Sequence, residues 1–186
     1  MKNLNDSKRL ESIKGTFLLL DTNILIDASK DPDAFDELFT LLKQHDIQGV
    51  HDSIAKLEFL RGARNNKELE SYEVFLDGLL GTDRFVMPTN KDLHHMLFDD
   101  ALRIARVSSR VDNKKMSVPD CLLAAQVSVY ERSSGKLLLA TNNHKDFPPF
   151  LFEPIYVHLV FLKNGTIRPV GFYRCKVDVL DTLSNF

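Results

Sequence analysis

Two short runs made only of apolar residues constrain this chain more than any other feature: Phe17-Leu18-Leu19-Leu20 and Leu137-Leu138-Leu139-Ala140. Four residues are too few for a buried helix, and a strand without polar alternation has to be covered on both faces. Amphipathic patterns fill the space between them. Asp31-Pro32 opens a helix carrying Phe35, Leu38, Phe39 and Leu42, and residues 47–50 form a second short strand. Ser53 caps a helix carrying Ile54, Leu57, Glu58 and Leu60 that ends near Gly62. Residues 69–80 are helical in pattern, residues 84–87 read as a strand stopped by Pro88, and Leu93, Met96, Leu97, Ala101, Ile104 and Ala105 mark a long helix. Ser117-Val118-Pro119-Asp120 opens another, with Ser117 as its cap and Asp120 in the capping-box position. Strands alternating with helices predict an α/β fold: a parallel sheet sandwiched by helices.

The two ends of the chain differ from this middle. Residues 1–15 read as a polar tail or marginal helix, residues 16–150 as the main domain, and residues 151–186 as a C-terminal β-hairpin and short tail packed on it. The hairpin pairs residues 155–162 with 166–175 around Asn164-Gly165. Its first strand puts Tyr156, His158, Val160 and Leu162 on one face and Ile155, Val157, Leu159 and Phe161 on the other. That is more apolar surface than a solvated hairpin carries, so either one face lies against the domain and the other against a partner, or the hairpin merely closes its own core. Pro169 lacks an N–H, which places the return strand at a sheet edge.

Composition excludes several classes. With 44% hydrophobic residues and 13 Phe the chain can bury a core, which excludes disorder. A net charge of -2 excludes a polycation, so nucleic-acid binding needs a local patch. Cys121 and Cys175 build no disulfide framework, and no apolar stretch approaches a membrane span of about 20 residues. The opening lacks the apolar segment of a signal peptide, so a cytoplasmic protein with no membrane partner is expected.

In an open parallel sheet, ligands sit at the carboxyl ends of the strands. Asp21 and Asp146 fall there, while Glu58 and Asp120 lie in the first turns of helices, so each acid comes from a different element. Four carboxylates in one cleft repel unless a cation intervenes, and oxygen-only ligands select Mg²⁺ or Mn²⁺. Such an ion suits phosphodiester cleavage. Each acid also has a plainer role. Asp21 can end a strand, Asp120 can cap, Glu58 can pair with Arg61, and Asp146 can sit in a surface turn. His94 and His95 point apart on a helix, His144 reads as an exposed loop histidine, and the two cysteines read as small buried hydrophobes. Arg103, Arg106, Arg110, Lys114 and Lys115 crowd the stretch before Asp120, opposed only by Asp112. They are either a solvated helix end or a patch for an RNA backbone.

Taken together, Leu20-Asp21-Thr22-Asn23-Ile24-Leu25, Glu58 in Ser53-Ile54-Ala55-Lys56-Leu57-Glu58, Pro119-Asp120-Cys121-Leu122-Leu123-Ala124-Ala125 and Thr141-Asn142-Asn143-His144-Lys145-Asp146-Phe147 resemble a PIN domain. The resemblance is to the VapC-like endoribonuclease toxins of toxin–antitoxin pairs and covers roughly residues 16–150. It implies a Mg²⁺- or Mn²⁺-dependent ribonuclease, usually a homodimer, with an antitoxin as possible partner. Asp21, Glu58, Asp120 and Asp146 are then the metal-site acids, with Asn23 and Asn143 as supporting polar groups. The chain is longer than a compact toxin, mainly through the hairpin. A haloacid-dehalogenase-like phosphatase would want a second acid where Asn23 stands. A PIN-like RNA-binding or RNA-processing scaffold with weak or no catalysis remains the alternative.

Overall fold

The two apolar runs lie side by side. Strand β1 (Phe17–Leu20) pairs on one side with β2 (Gln48–Val50) and on the other with β3 (Leu137–Thr141), both in parallel. The register with β3 runs from Phe17↔Leu137 to Leu20↔Ala140. Leu18, Leu19, Leu20 and the whole of β3 are buried, as strands covered on both faces require.

The computed structural model describes residues 4–80, 91–111, 115–133 and 135–184. Among them are eight helices: α1 (Leu4–Glu11), α2 (Thr22–Lys30), α3 (Pro32–Gln44), α4 (Ser53–Arg61), α5 (Asn66–Leu80), α6 (Lys91–Val111), α7 (Val118–Ser133) and α8 (Val177–Ser184). The strand expected at residues 84–87 lies outside the described residues, as do Asp112 and Lys114. Where a loose tail or marginal helix is expected, the chain forms α1, and Leu10 and Ile13 just after it are buried in the core. Helix α2 begins directly after Asp21, with no intervening loop. Asp52 rather than Ser53 caps α4, accepting the Ala55 N–H at 2.7 Å. No helix among the described residues is long and apolar enough to cross a membrane.

The sheet is mixed, not purely parallel. Its order is β2-β1-β3-β5-β4, where β4 (Phe152–Phe161) and β5 (Ile167–Cys175) form the hairpin and β5 pairs antiparallel with β3. The return strand is therefore interior and the first hairpin strand is the edge, the reverse of what Pro169 suggests. The reason is local. β3 ends at Thr141, opposite Gly171, so Pro169 lies beyond the reach of β3 and its missing N–H interrupts no pairing there. The hairpin closes through Leu162 N–H to Thr166 C=O (2.9 Å) and Gly165 N–H to Leu162 C=O (2.9 Å), with Gly165 alone supplying the positive φ of 81°. This is the three-residue hairpin loop with glycine in the left-handed position.

Helices α1 and α3 lie against β4, and α7 lies against β3 and β5. Alternation along β4 buries Tyr156, His158 and Val160 and leaves Val157, Leu159 and Phe161 exposed. Cys121 and Cys175 are buried and unpaired, and burial pushes their thiols up to about 11 and about 12.

Candidate functional site

Parallel strands all deliver their carboxyl ends to the same edge of the sheet, and the first acid stands there. Asp21 follows β1 immediately and N-caps α2 without a side-chain capping bond. Its carboxylate is instead turned to β3: the Thr141 hydroxyl donates to Oδ2 at 2.7 Å, and Asn23 Nδ2 donates to the same oxygen. Asn23 also donates to Thr141 Oγ1 (3.2 Å) and accepts the Asn142 N–H at 3.3 Å. The loop after β3 is thereby stitched to the start of α2. Asp21 is 3% exposed, and burial raises its pKa to about 6. The nearby charge of Asp120 adds to that rise, against the hydrogen bonds from Thr141 and Asn23.

The other three acids arrive from separate elements. Asp120, in the first turn of α7, is raised first by burial and then by the charges of Asp146 and Glu58. Its expected capping role is also present: the Ser117 hydroxyl donates to Oδ2 at 2.6 Å, while the Asp120 N–H reaches Ser117 Oγ at 3.2 Å. Glu58, in the second turn of α4 and not the first-turn position expected, accepts the Thr22 hydroxyl at 2.7 Å. Asp146, in the loop after β3, accepts from Asn143 Nδ2, and its N–H donates to the Asn143 carbonyl at 3.2 Å. Asn143 N–H in turn donates to Thr141 Oγ1 at 2.9 Å. All four acids thus act on one another through Asp120, and Asn23 and Asn143 each hold one of them.

Among the described residues, none of the four forms an ion pair with a Lys or Arg, whereas Asp27, Asp31, Asp100 and Asp181 do. The Glu58–Arg61 pair expected as a plainer role is not formed among these contacts. Uncompensated carboxylates, one of them nearly fully buried, match a hard divalent cation in the chemistry of their donors. Among the described residues no three acid, His or Cys side chains gather tightly enough to enclose an ion.

Sequence reasoning passed over Thr22 and Thr141, whose hydroxyls orient Glu58 and Asp21; Thr141 stands at the head of the last motif and was legible there. It also passed over two long-range polar links. Gln126 of α7 donates to Asp52, and Arg132 of α7 pairs with Asp100 of α6 and Asp181 of α8. The basic stretch divides. Arg103 lies 3.7 Å from Asp100 and 3.6 Å from Asp181, so it serves this helix-joining network, while Arg106 and Arg110 are exposed. His144 is not a solvated loop side chain: its ring meets Tyr173 and the Pro169 carbonyl.

No family profile matches the sequence, and no curated protein matches it. Among solved structures, a chain of VapBC2 from Rickettsia felis, crystallised bound to a DNA fragment from its promoter, matches with a TM-score of 0.46 and 18% identity, over 66% of this chain and 96% of that chain. The functional reading therefore rests on this chain's own residues.

Proposed function

We propose that the chain is a Mg²⁺- or Mn²⁺-dependent endoribonuclease that hydrolyses RNA phosphodiester bonds, and that it is the toxin of a toxin–antitoxin pair. The observation that carries the catalytic part is Asp21: a buried carboxylate at a parallel strand end, held by two side chains and uncompensated by any cation among the described residues. A protein keeps such a group where a ligand supplies the missing charge.

Asp21 and Asp120 would hold the ion, with Glu58 and Asp146 completing the site directly or through water. The ion supplies charge neutralisation at the scissile phosphate and a more acidic water. Thr141 and Asn23 hold the Asp21 carboxylate, Ser117 orients Asp120, Thr22 orients Glu58, and Asn143 orients Asp146. Arg106 and Arg110, with Arg103 to the extent that Asp100 and Asp181 release it, would meet RNA phosphates outside the cleft. An antitoxin arginine entering among the four carboxylates would silence the site by charge complementarity, and the working form is taken to be a homodimer.

The test is cleavage of a single-stranded RNA with Mg²⁺, with Mn²⁺ and with EDTA. Activity should need the ion, and Asp21→Asn should lower it at least about a hundredfold. Expression of the chain alone should arrest growth, and Asp21→Asn should relieve the arrest. Replacing Arg106 and Arg110 by Gln should flatten the salt dependence of RNA binding by about one unit per lost contact. RNA binding without cleavage, unchanged by EDTA or Asp21→Asn, would leave the scaffold reading instead.

A further inference from the structure

The loop that follows β3 carries Asn143 and Asp146, and it is tied to β5 from two sides. On one side Asn142 Nδ2 donates to Asp27 at 2.8 Å, and Arg168 of β5 pairs with the same carboxylate at 3.2 Å. On the other side His144 Nε2 donates to the carbonyl of Pro169 at 2.9 Å, and His144 Nδ1 meets the Tyr173 hydroxyl. A carbonyl can only accept, so in the neutral ring Nε2 carries the hydrogen and Nδ1 accepts from Tyr173. The imidazole is thus clamped at both nitrogens by one strand.

The clamp is built into the backbone of β5. Residues 171 and 173 point to the same face of the strand, and the Tyr173 ring folds back over Gly171 toward His144. A Cβ at position 171 would lie 2.5 Å from that ring, closer than any side chain tolerates. Gly171 leaves room for the Tyr173 ring in this position, and the tyrosine reaches the histidine.

We propose that β5 positions the fourth acid of the cleft, with His144 as the positioning residue: held by Pro169 and Tyr173, it fixes the loop within which Asn143 orients Asp146. This rests on the nuclease reading for the role of Asp146, and it gives the hairpin a part in supporting the site. His144 acts through its neighbours in the loop and donates to none of the four acids in the described contacts.

The test compares the wild-type protein with His144→Ala, His144→Gln and Tyr173→Phe. Amide hydrogen exchange of residues 142–147, measured without metal or RNA, reads the anchoring; Mn²⁺ affinity, kcat and KM on a single-stranded RNA read its consequence. His144→Ala should speed exchange in the loop and lower Mn²⁺ affinity or kcat about 10–100-fold, the usual cost of losing a supporting partner. KM should stay within about twofold, because RNA contacts outside the cleft are untouched. His144→Gln keeps a donor for the Pro169 carbonyl and should recover part of the loss, and Tyr173→Phe, which removes one hydroxyl, should fall between. If His144→Ala does not fold, Tyr173→Phe decides. Unchanged loop exchange and unchanged Mn²⁺ affinity in the folded variants would overturn the proposal. A wild-type protein indifferent to Mn²⁺ and EDTA would overturn the nuclease reading, while loop exchange would still decide the anchoring by itself.

Discussion

The two halves of the sheet follow different rules. Strands β2, β1 and β3 run parallel, and the last two are buried along nearly their whole length. Strands β5 and β4 run antiparallel, and β4 alternates between core and solvent. In the parallel half β1 and β2 leave through helices and β3 through the loop that carries Asp146, so their ends open toward loops and helix starts that can bring acids to one edge of the sheet. The antiparallel half turns back on itself at Gly165 and contributes none of the four acids. Strand direction, more than sequence composition, decides which part of this sheet is available for chemistry and which part braces it. The brace is fastened at its far end as well: the Lys163 N–H donates to Asp31 at 2.7 Å, and this bond holds the Asp31 carboxyl below the usual carboxylate range.

The contrast breaks most visibly in stability. Leu138 sits in the middle of β3 with no exposed surface, and Leu138→Ala should cost about 2–5 kcal/mol in urea unfolding, since the cavity cannot collapse between two covered faces. A loss below 1 kcal/mol would show the parallel half to be less tightly covered than described.

Asp21 sharpens the contrast through pH. Its folded-state pKa, about 6, lies above the unfolded value near 3.8, so the folded protein binds the proton more tightly. Ionisation of Asp21 then costs stability as pH rises between those values, on the order of 2–3 kcal/mol by neutral pH in the absence of divalent ions. Asp21→Asn removes this cost. In EDTA the variant should be more stable than wild type at pH 7, and the two should converge below about pH 4. Mn²⁺ should narrow the gap at pH 7 by stabilising only the wild type. Equal stability of the two proteins at pH 7 in EDTA would remove the ionisation cost assigned to Asp21.

The smallest effect belongs to the hairpin. Leu159 is 48% exposed on the outer face of β4, and Leu159→Ser should change stability by no more than about 0.5 kcal/mol. A loss comparable to Leu138→Ala would mean that the outer face is covered in solution.

Much of the parallel half was legible because it obeys local rules. Phe17–Leu20 and residues 137–140 have no polar face to show solvent, and Asp31-Pro32 and Ser117 mark helix starts by chemistry that needs no tertiary context. Asp21 was legible as an acid directly after a buried strand, whereas Glu58 and Asp120 lie within helices and carry no such positional signal. What escaped depends on distant pairing. Asp52 meets Gln126, and Asp100 meets Arg132, across separations that no sequence period records. The order of β5 and β4 was misread because a proline forbids a strand only where a neighbour extends far enough to need its N–H, and β3 does not. His144 looked exposed because its partners lie on a strand that follows it in the chain.

The buried cysteines have a practical corollary. With Cys121 at about 11, on the order of one molecule in ten thousand carries its thiolate at neutral pH, and Cys175 carries less. Maleimides react with thiolates at accessible surface, so both native sulfurs should stay silent in the folded protein. A single cysteine introduced at exposed Asn164 or Lys145 would then take a dye cleanly, one on the hairpin turn and one on the acid-bearing loop. Carrying a dye at both sites, the molecule would act as its own ruler, reporting on nanometre scales whether turn and loop travel together.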